Sequence, residues 1–415
     1  MTRNYFVVGL IMLTFFVISF LTNIIGPLIP AIIEDFELSL TLVALLPFSF
    51  FIAYGVASIP TGILVERFSG KAVMVSAFAV AFIGAMMLAL FPGYLMAIAS
   101  LFLIGTGMAM LQVAMHPLLR AAGGEEHFAF NSVLGQLFFG LAAFLSPLAY
   151  SYLVVNLDAG SDTVLIGLLA GVVPENLPWI SLYWIFAATS LIMVFVLAIS
   201  RIPSITLTDE ERVGAMSTHL SLLRRPMVIA YFLGIFCYVG TEQGVANWLS
   251  EFLTSYHGYD PQTTGARTVS LFWGLMTAGT VLGLLTLKLF ESRRVLIGFA
   301  TGGILSLATA LVGPGSLALY AFPLVGFFIS VMWSVIFALA LNSVSVHHGS
   351  FSGILVTAII GGAVIPLVVG WLGDITSLRI GMSFLFIPFL YILSIGFWAE
   401  PIISNKTIAS IAEPI

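Results

Sequence analysis

Residues 41–91 read TLVALLPFSFFIAYGVASIPTGILVERFSGKAVMVSAFAVAFIGAMMLALF, two long apolar runs joined by a short charged turn. Glu66, Arg67 and Lys71 are the only charges in the stretch. A bilayer core is crossed by a helix of about 20 apolar residues, and each run is long enough for that. Neither run shows the apolar/polar alternation of a membrane barrel. Inside lipid only helices and closed barrels satisfy the backbone, so the stretch reads as a transmembrane helical hairpin.

The rest of the chain repeats this pattern. Its 415 residues are 60% hydrophobic and only 8% charged, with a mean hydropathy of +1.13. Soluble domains carry roughly a quarter charged residues, so a soluble globule and a disordered chain are both excluded. A lone Cys237 excludes an internally disulfide-bonded scaffold. Twelve apolar segments separate at the polar breaks: 5–33, 41–65, 72–91, 94–121, 128–154, 179–200, 227–255, 266–290, 295–312, 315–342, 350–372 and 380–398. The first is too long for a signal-peptide core and has no small-residue cleavage site after it, so it reads as a retained helix. The expected class is an all-α membrane protein with twelve transmembrane helices.

Sidedness follows from the Lys/Arg bias of the loops. With the N-terminus inside, the inner side collects Arg3, Arg67, Lys71, Arg120, Arg201, Arg212, Arg224, Arg225, Lys288, Arg293, Arg294 and Lys406. Arg267 and Arg379 alone fall outside, a ratio of 12 to 2. A missed or invented helix would destroy this bias in one half of the chain. The apolar stretch Val164 to Val173 is too short to span and belongs to an outer loop, 155–178, with Asp158, Asp162 and Glu175. Both termini are therefore expected inside, in a plasma (inner) membrane.

The inner loop 201–226, with four Arg and the run Asp209-Glu210-Glu211, divides the chain near its midpoint. The expected domains are an N-terminal six-helix bundle (1–200), a cytoplasmic linker (201–226) and a C-terminal six-helix bundle (227–415). The halves echo each other. Gly55 and Gly62 to Lys71 are followed about 220 residues later by Gly279 and the stretch Leu287-Lys288-Leu-Phe-Glu291-Ser-Arg293-Arg294. Parallel six-helix repeats are a transporter architecture, with pseudo-two-fold symmetry and a substrate site between the halves.

The stretch Gly62 to Lys71 resembles the loop signature of the major facilitator superfamily, with Glu66 where Asp is usual. More narrowly, the chain resembles the fucose–galactose–hexuronate symporters. The likeness rests on Ile59-Pro60-Thr-Gly62, Gln112-Val-Ala-Met-His116-Pro117, Tyr238-Val-Gly-Thr-Glu242, Ile359-Ile360-Gly361-Gly362-Ala-Val-Ile-Pro366 and Gly373-Asp374. The resemblance implies that Glu66, Arg67 and Lys71 form a charge network latching the halves in the outward-open state. Without it they are ordinary positive-inside residues.

Polar side chains within spans are costly and mark candidate sites. Asn23 stands alone before Pro27 and Pro30, and matches a sugar-contacting asparagine of the family. Gln112 and His116, four residues apart, share a helix face; Gln136 is an isolated amide in the fifth segment. In the seventh segment Gln243 and Asn247 lie on one stripe, and Glu242 is the one carboxylate deep inside a span. Trp248, Trp273 and Trp333 lie away from the segment ends, where an indole face can pack on a pyranose ring. Each of these residues has a structural reading too, as an interhelical bond or lipid-facing bulk.

No Walker lysine motif, HExxH, GxSxG or Cys/His metal spacing is present, so neither an ATP-driven pump nor an enzyme is expected. The expected function is cation-coupled symport of a neutral sugar, a hexose or related polyol, by a monomer in the lipid bilayer with no nucleic-acid partner and no cofactor. The family's fucose carriers hold acids where this chain has Gly26 and Gln112, so their proton route does not transfer directly. The remaining carriers are a proton on Glu242 or His116, or a sodium ion held by Asn23, Gln112 and Glu242. The rival expectations are an uncoupled uniporter and an exporter of amphipathic compounds.

Overall fold

The computed structural model describes residues 4–124, 128–160, 163–202, 221–344 and 348–401. Most of the 201–226 linker lies outside these residues, as do Arg3, Asp162, Arg212 and Lys406. No strand occurs among the described residues. Twelve helices there are long and apolar enough to cross a membrane: α1 (Tyr5–Phe36), α2 (Leu40–Ser58), α3 (Gly70–Leu90), α4 (Tyr94–Met115), α5 (Leu134–Asp158), α6 (Pro178–Ile199), α7 (Pro226–His257), α8 (Pro261–Leu289), α9 (Ser292–Val312), α10 (Gly315–Leu341), α11 (Phe351–Ile375) and α12 (Leu378–Trp398). Each corresponds to one of the twelve apolar segments. The stretch judged too short to span forms only a seven-residue helix, Val164–Ala170.

Two of the interrupted spans break four residues before a proline. Helix α1 consists of Tyr5–Thr22 and Ile25–Phe36, and α12 of Leu378–Ser383 and Phe386–Trp398. Proline lacks an N–H and crowds the carbonyl four residues before it. Pro27 stands four residues after Asn23, and Pro388 four after Phe384, so each break falls where the ladder loses its donor.

The internal repeat is visible in the packing. Within the first six spans the close pairs are α1 with α5, α2 with α4, α3 with α4, and α3 with α6. The last six pair in the same scheme: α7 with α11, α8 with α10, α9 with α10, and α9 with α12. The likeness extends to single residues. A Cβ on Gly105 of α4 would lie 2.3 Å from the Phe50 carbonyl oxygen of α2, and one on Gly326 of α10 would lie 2.3 Å from that of Phe272 on α8. Glycine is what allows both backbone contacts.

The charged turns also correspond. Lys71, at the start of α3, donates from Nζ to the Ala198 and Ser200 carbonyls at the end of α6, both at 2.8 Å. Arg293, at the start of α9, donates to the Gly396 (3.1 Å) and Phe397 (2.8 Å) carbonyls at the end of α12. The last carbonyls of a helix have no intrahelical partner and carry the negative end of its dipole. One cation in each half satisfies them.

The halves meet through α1 with α7, α2 with α11, and α5 with α8. The α2–α11 contact at Leu40 and Asp374 lies at the end carrying the 155–178 connection, the outer end in the sidedness given above. Among the close pairs of described residues, α4 and α10 meet only helices of their own half.

Removing either cationic cap should cost about 1–2 kcal/mol, the worth of charge-assisted hydrogen bonds. Lys71→Met and Arg293→Met are each expected to lower the thermal unfolding midpoint in detergent. The two losses should add, because the sites share no partner. An unchanged midpoint in both would show that water satisfies these carbonyls equally well.

Candidate functional site

Of the polar residues singled out in the sequence, Asn23 and Glu242 lie well inside their spans. Glu242 stands near the middle of α7, about 23 Å from either end at 1.5 Å per residue. Its Oε2 accepts from the Tyr238 hydroxyl (2.5 Å) and its Oε1 from Gln243 Nε2 (3.0 Å). Tyr238 lies one turn before Glu242 on the same face, and its ring tilts against Trp333 of α10 with centroids 6.0 Å apart. Trp333 continues the row by stacking on Phe337 at 5.8 Å.

Farther along α7, Asn247 is 4% exposed, yet its Nδ2 has no hydrogen-bond partner among the described residues. The Trp273 indole N–H of α8, also 4% exposed, is likewise unpartnered. A buried donor without an acceptor costs roughly 1–3 kcal/mol. Two such donors at similar depth on neighbouring helices leave a preformed demand for acceptors.

On the opposing half, Asn23 occupies the α1 break itself and donates from Nδ2 to Ser19 Oγ (3.0 Å). Three residues on, Gly26 meets α7 so closely that a Cβ there would lie 2.2 Å from the Ala246 carbonyl oxygen. A side chain has no room at this crossing. Gln112 of α4 donates to the Tyr54 hydroxyl of α2 (3.3 Å), and Tyr54 packs against Phe50 and Phe51. Gln136 is exposed near the start of α5, one turn before Gly140, which packs against Thr277 of α8.

Other residues take different places. Trp248 is fully buried and its indole N–H is committed to the Pro366 carbonyl (3.1 Å), so it ties α7 to α11 and offers nothing to a solute in this state. Lys71 bonds within its own half, and Arg67 is exposed. The side chains of Glu66 and His116 lie outside the described residues. Asn23, Gln112 and Glu242, named for a sodium ion, each engage other partners. Among the described residues no group of three His, Cys, Asp or Glu is placed to hold a metal ion.

Two participants were not singled out from sequence. Tyr238 was detectable from its four-residue spacing to Glu242. Tyr54 was not, because its partner comes from another helix.

The family model of the major facilitator superfamily matches residues 11–359. A glucose/galactose transporter of Brucella abortus is 30% identical to the chain, covering 95% of it and 94% of the relative. An L-fucose-proton symporter of Escherichia coli is 25% identical, covering 90% and 88%. Among solved structures, a bacterial homologue of the human lysosomal transporter Spinster, in an inward-facing and unoccupied conformation, superposes with a TM-score of 0.79 at 15% identity, covering 95% of this chain and 96% of that one. With this match over most of its length, its twelve spans and its repeated helix packing, the chain belongs to the major facilitator superfamily.

Proposed function

We propose that the protein is a secondary active transporter that carries a neutral hexose or related polyol together with a proton. The observation that carries this reading is a carboxylate in the middle of α7, bonded to Tyr238 and Gln243, with the buried Asn247 and Trp273 donors unpartnered among the described residues. Sugar hydroxyls both accept and donate, so they suit Asn247 and Trp273 as acceptors and Gln112 and Gln136 as donors or acceptors. A lipophilic cargo would leave these groups unsatisfied. The relatives named for glucose, galactose and fucose support the same class of substrate.

Glu242 is the residue assigned to the coupling proton. As a carboxylate it accepts from Tyr238 and Gln243. On protonation it gains an O–H donor and becomes a weaker acceptor, so its bonds to Tyr238 and Gln243 loosen. The change reaches Trp333 through the Tyr238 ring, so proton occupancy and the shape of the sugar site are linked. A proton suits this arrangement better than sodium, because both carboxylate oxygens already face donors. The relative named as a proton symporter points the same way.

The protein works as a monomer of two six-helix domains, 1–200 and 227–415, joined by the 201–226 linker. It sits in the plasma (inner) membrane with both termini in the cytoplasm. Alternating access proceeds by rocking the domains about the central site.

Proteoliposomes with an inward proton gradient should concentrate labelled hexose. Glu242→Gln should reduce the final internal concentration to the external one while sugar-for-sugar exchange continues. Concentrative uptake by this variant would assign the carboxylate a structural role. Extrusion of lipophilic cations with no sugar uptake would establish an exporter instead.

Asn247→Leu removes an orphaned donor and a sugar contact together. It is expected to raise the half-saturating sugar concentration about tenfold, the equivalent of one hydrogen bond, without lowering the sugar-free melting midpoint. A lowered midpoint with unchanged affinity would make Asn247 a structural residue.

A further inference from the structure

The first turn of a helix has four N–H groups without intrahelical partners. At the N-terminus of α2, Ser39 Oγ accepts from the Leu42 N–H at 3.3 Å. The Leu40 and Thr41 N–H groups instead donate to Oδ1 and Oδ2 of Asp374, each at 2.8 Å. The Thr41 hydroxyl adds a third bond to Oδ2 at 2.5 Å. Asp374 belongs to α11 in the other half of the protein. One carboxylate thus spans the outer seam and caps the positive end of a helix that is not its own. Behind it, Gly370 packs on the Leu40 carbonyl and on Trp248, whose indole is anchored to Pro366.

The symmetry-related seam is built differently. Helix α8 begins at Pro261, and its N-terminus is capped from within the same half. Asp260 accepts from the Gln262 N–H at 3.1 Å and from the Thr263 hydroxyl. Across that seam the Ser270 hydroxyl donates to the Phe144 carbonyl, a neutral bond. Opening the outer end leaves the α8 cap intact and strips α2 of its Asp374 bonds, leaving it the Ser39 cap. Of these two seams, among the described residues, the α2–α11 one alone exchanges charge-assisted bonds for water as the halves part.

We infer that Asp374 is a positioning residue of the transport cycle: a latch that holds the outer end shut by capping α2 across the halves, and that must release before substrate enters from outside. The inference goes beyond the proposed function, since it sets the balance between conformations whatever the cargo or coupling ion.

The test measures interspin distances in the full-length protein in lipid, with Cys237 replaced by Ser. One label pair, at positions 95 and 317, reports the outer end; a second, at 199 and 289, reports the inner end. Asp374→Asn should raise the ratio of outer-open to outer-closed molecules on the order of tenfold, the equivalent of one charge-assisted hydrogen bond. The inner-end distances should shorten in the same proportion. Thr41→Val keeps the backbone bonds and loses only the hydroxyl, so its shift should be about threefold. Asp158→Asn, at the outer end of α5, should leave both distributions as in the unsubstituted protein. Should Asp374→Asn fail to fold, the Thr41→Val shift decides alone. Unchanged distributions in Thr41→Val and in any folded Asp374→Asn overturn the latch, as does an equal shift in Asp158→Asn.

Discussion

Lipid offers no hydrogen bonds, so every backbone donor and acceptor within the bilayer must find its partner inside the protein. That constraint makes the spans helical and turns each interruption of a helix into a local problem of unsatisfied groups. The places where this protein departs from simple helices are where its chemistry collects. The α1 break at Asn23 lies at the inter-half face beside a close helix crossing, where Gly26 meets Ala246. Exposed helix ends are answered by side chains from elsewhere: Lys71 for α6, Arg293 for α12, and Asp374 for α2.

These answers fall into two kinds. Lys71 and Arg293 bond within one half and persist as the halves move, so they hold each bundle together as a rigid body. Asp374 bonds between halves and is available in only one arrangement. A transporter needs both, because rigid bundles must rock about a site without either end state becoming a trap. Repeated packing supplies the rigid bodies, while the difference between the α2–α11 and α5–α8 seams supplies the bias.

Much of this was legible in the sequence. Continuous apolar runs identified all twelve spans, and Glu66, Arg67 and Lys71 marked the turn whose counterpart recurs at Glu291, Arg293 and Arg294. Glu242 stood out because carboxylates deep in apolar helices are rare. What stayed hidden depended on partners distant in sequence. Lys71 carries a capping role that becomes apparent only once the end of α6 is beside it. Trp248 has the composition of a sugar platform but is spent on the Pro366 carbonyl. Asp374 lies far along the chain from Leu40 and Thr41, and local pattern does not register that separation. Tyr238 was within reach, four residues before Glu242.

The central claim is that sugar movement and proton movement are one event at the Glu242 cluster. Sugar-driven proton flux measures this directly. Hexose is added to lightly buffered proteoliposomes with no imposed gradient and no sodium, and the external pH is followed. The account predicts an alkaline shift outside that saturates with sugar concentration and vanishes when a protonophore is present. Labelled hexose entering the same vesicles with no change in external pH, or entering only after sodium is supplied, would contradict it.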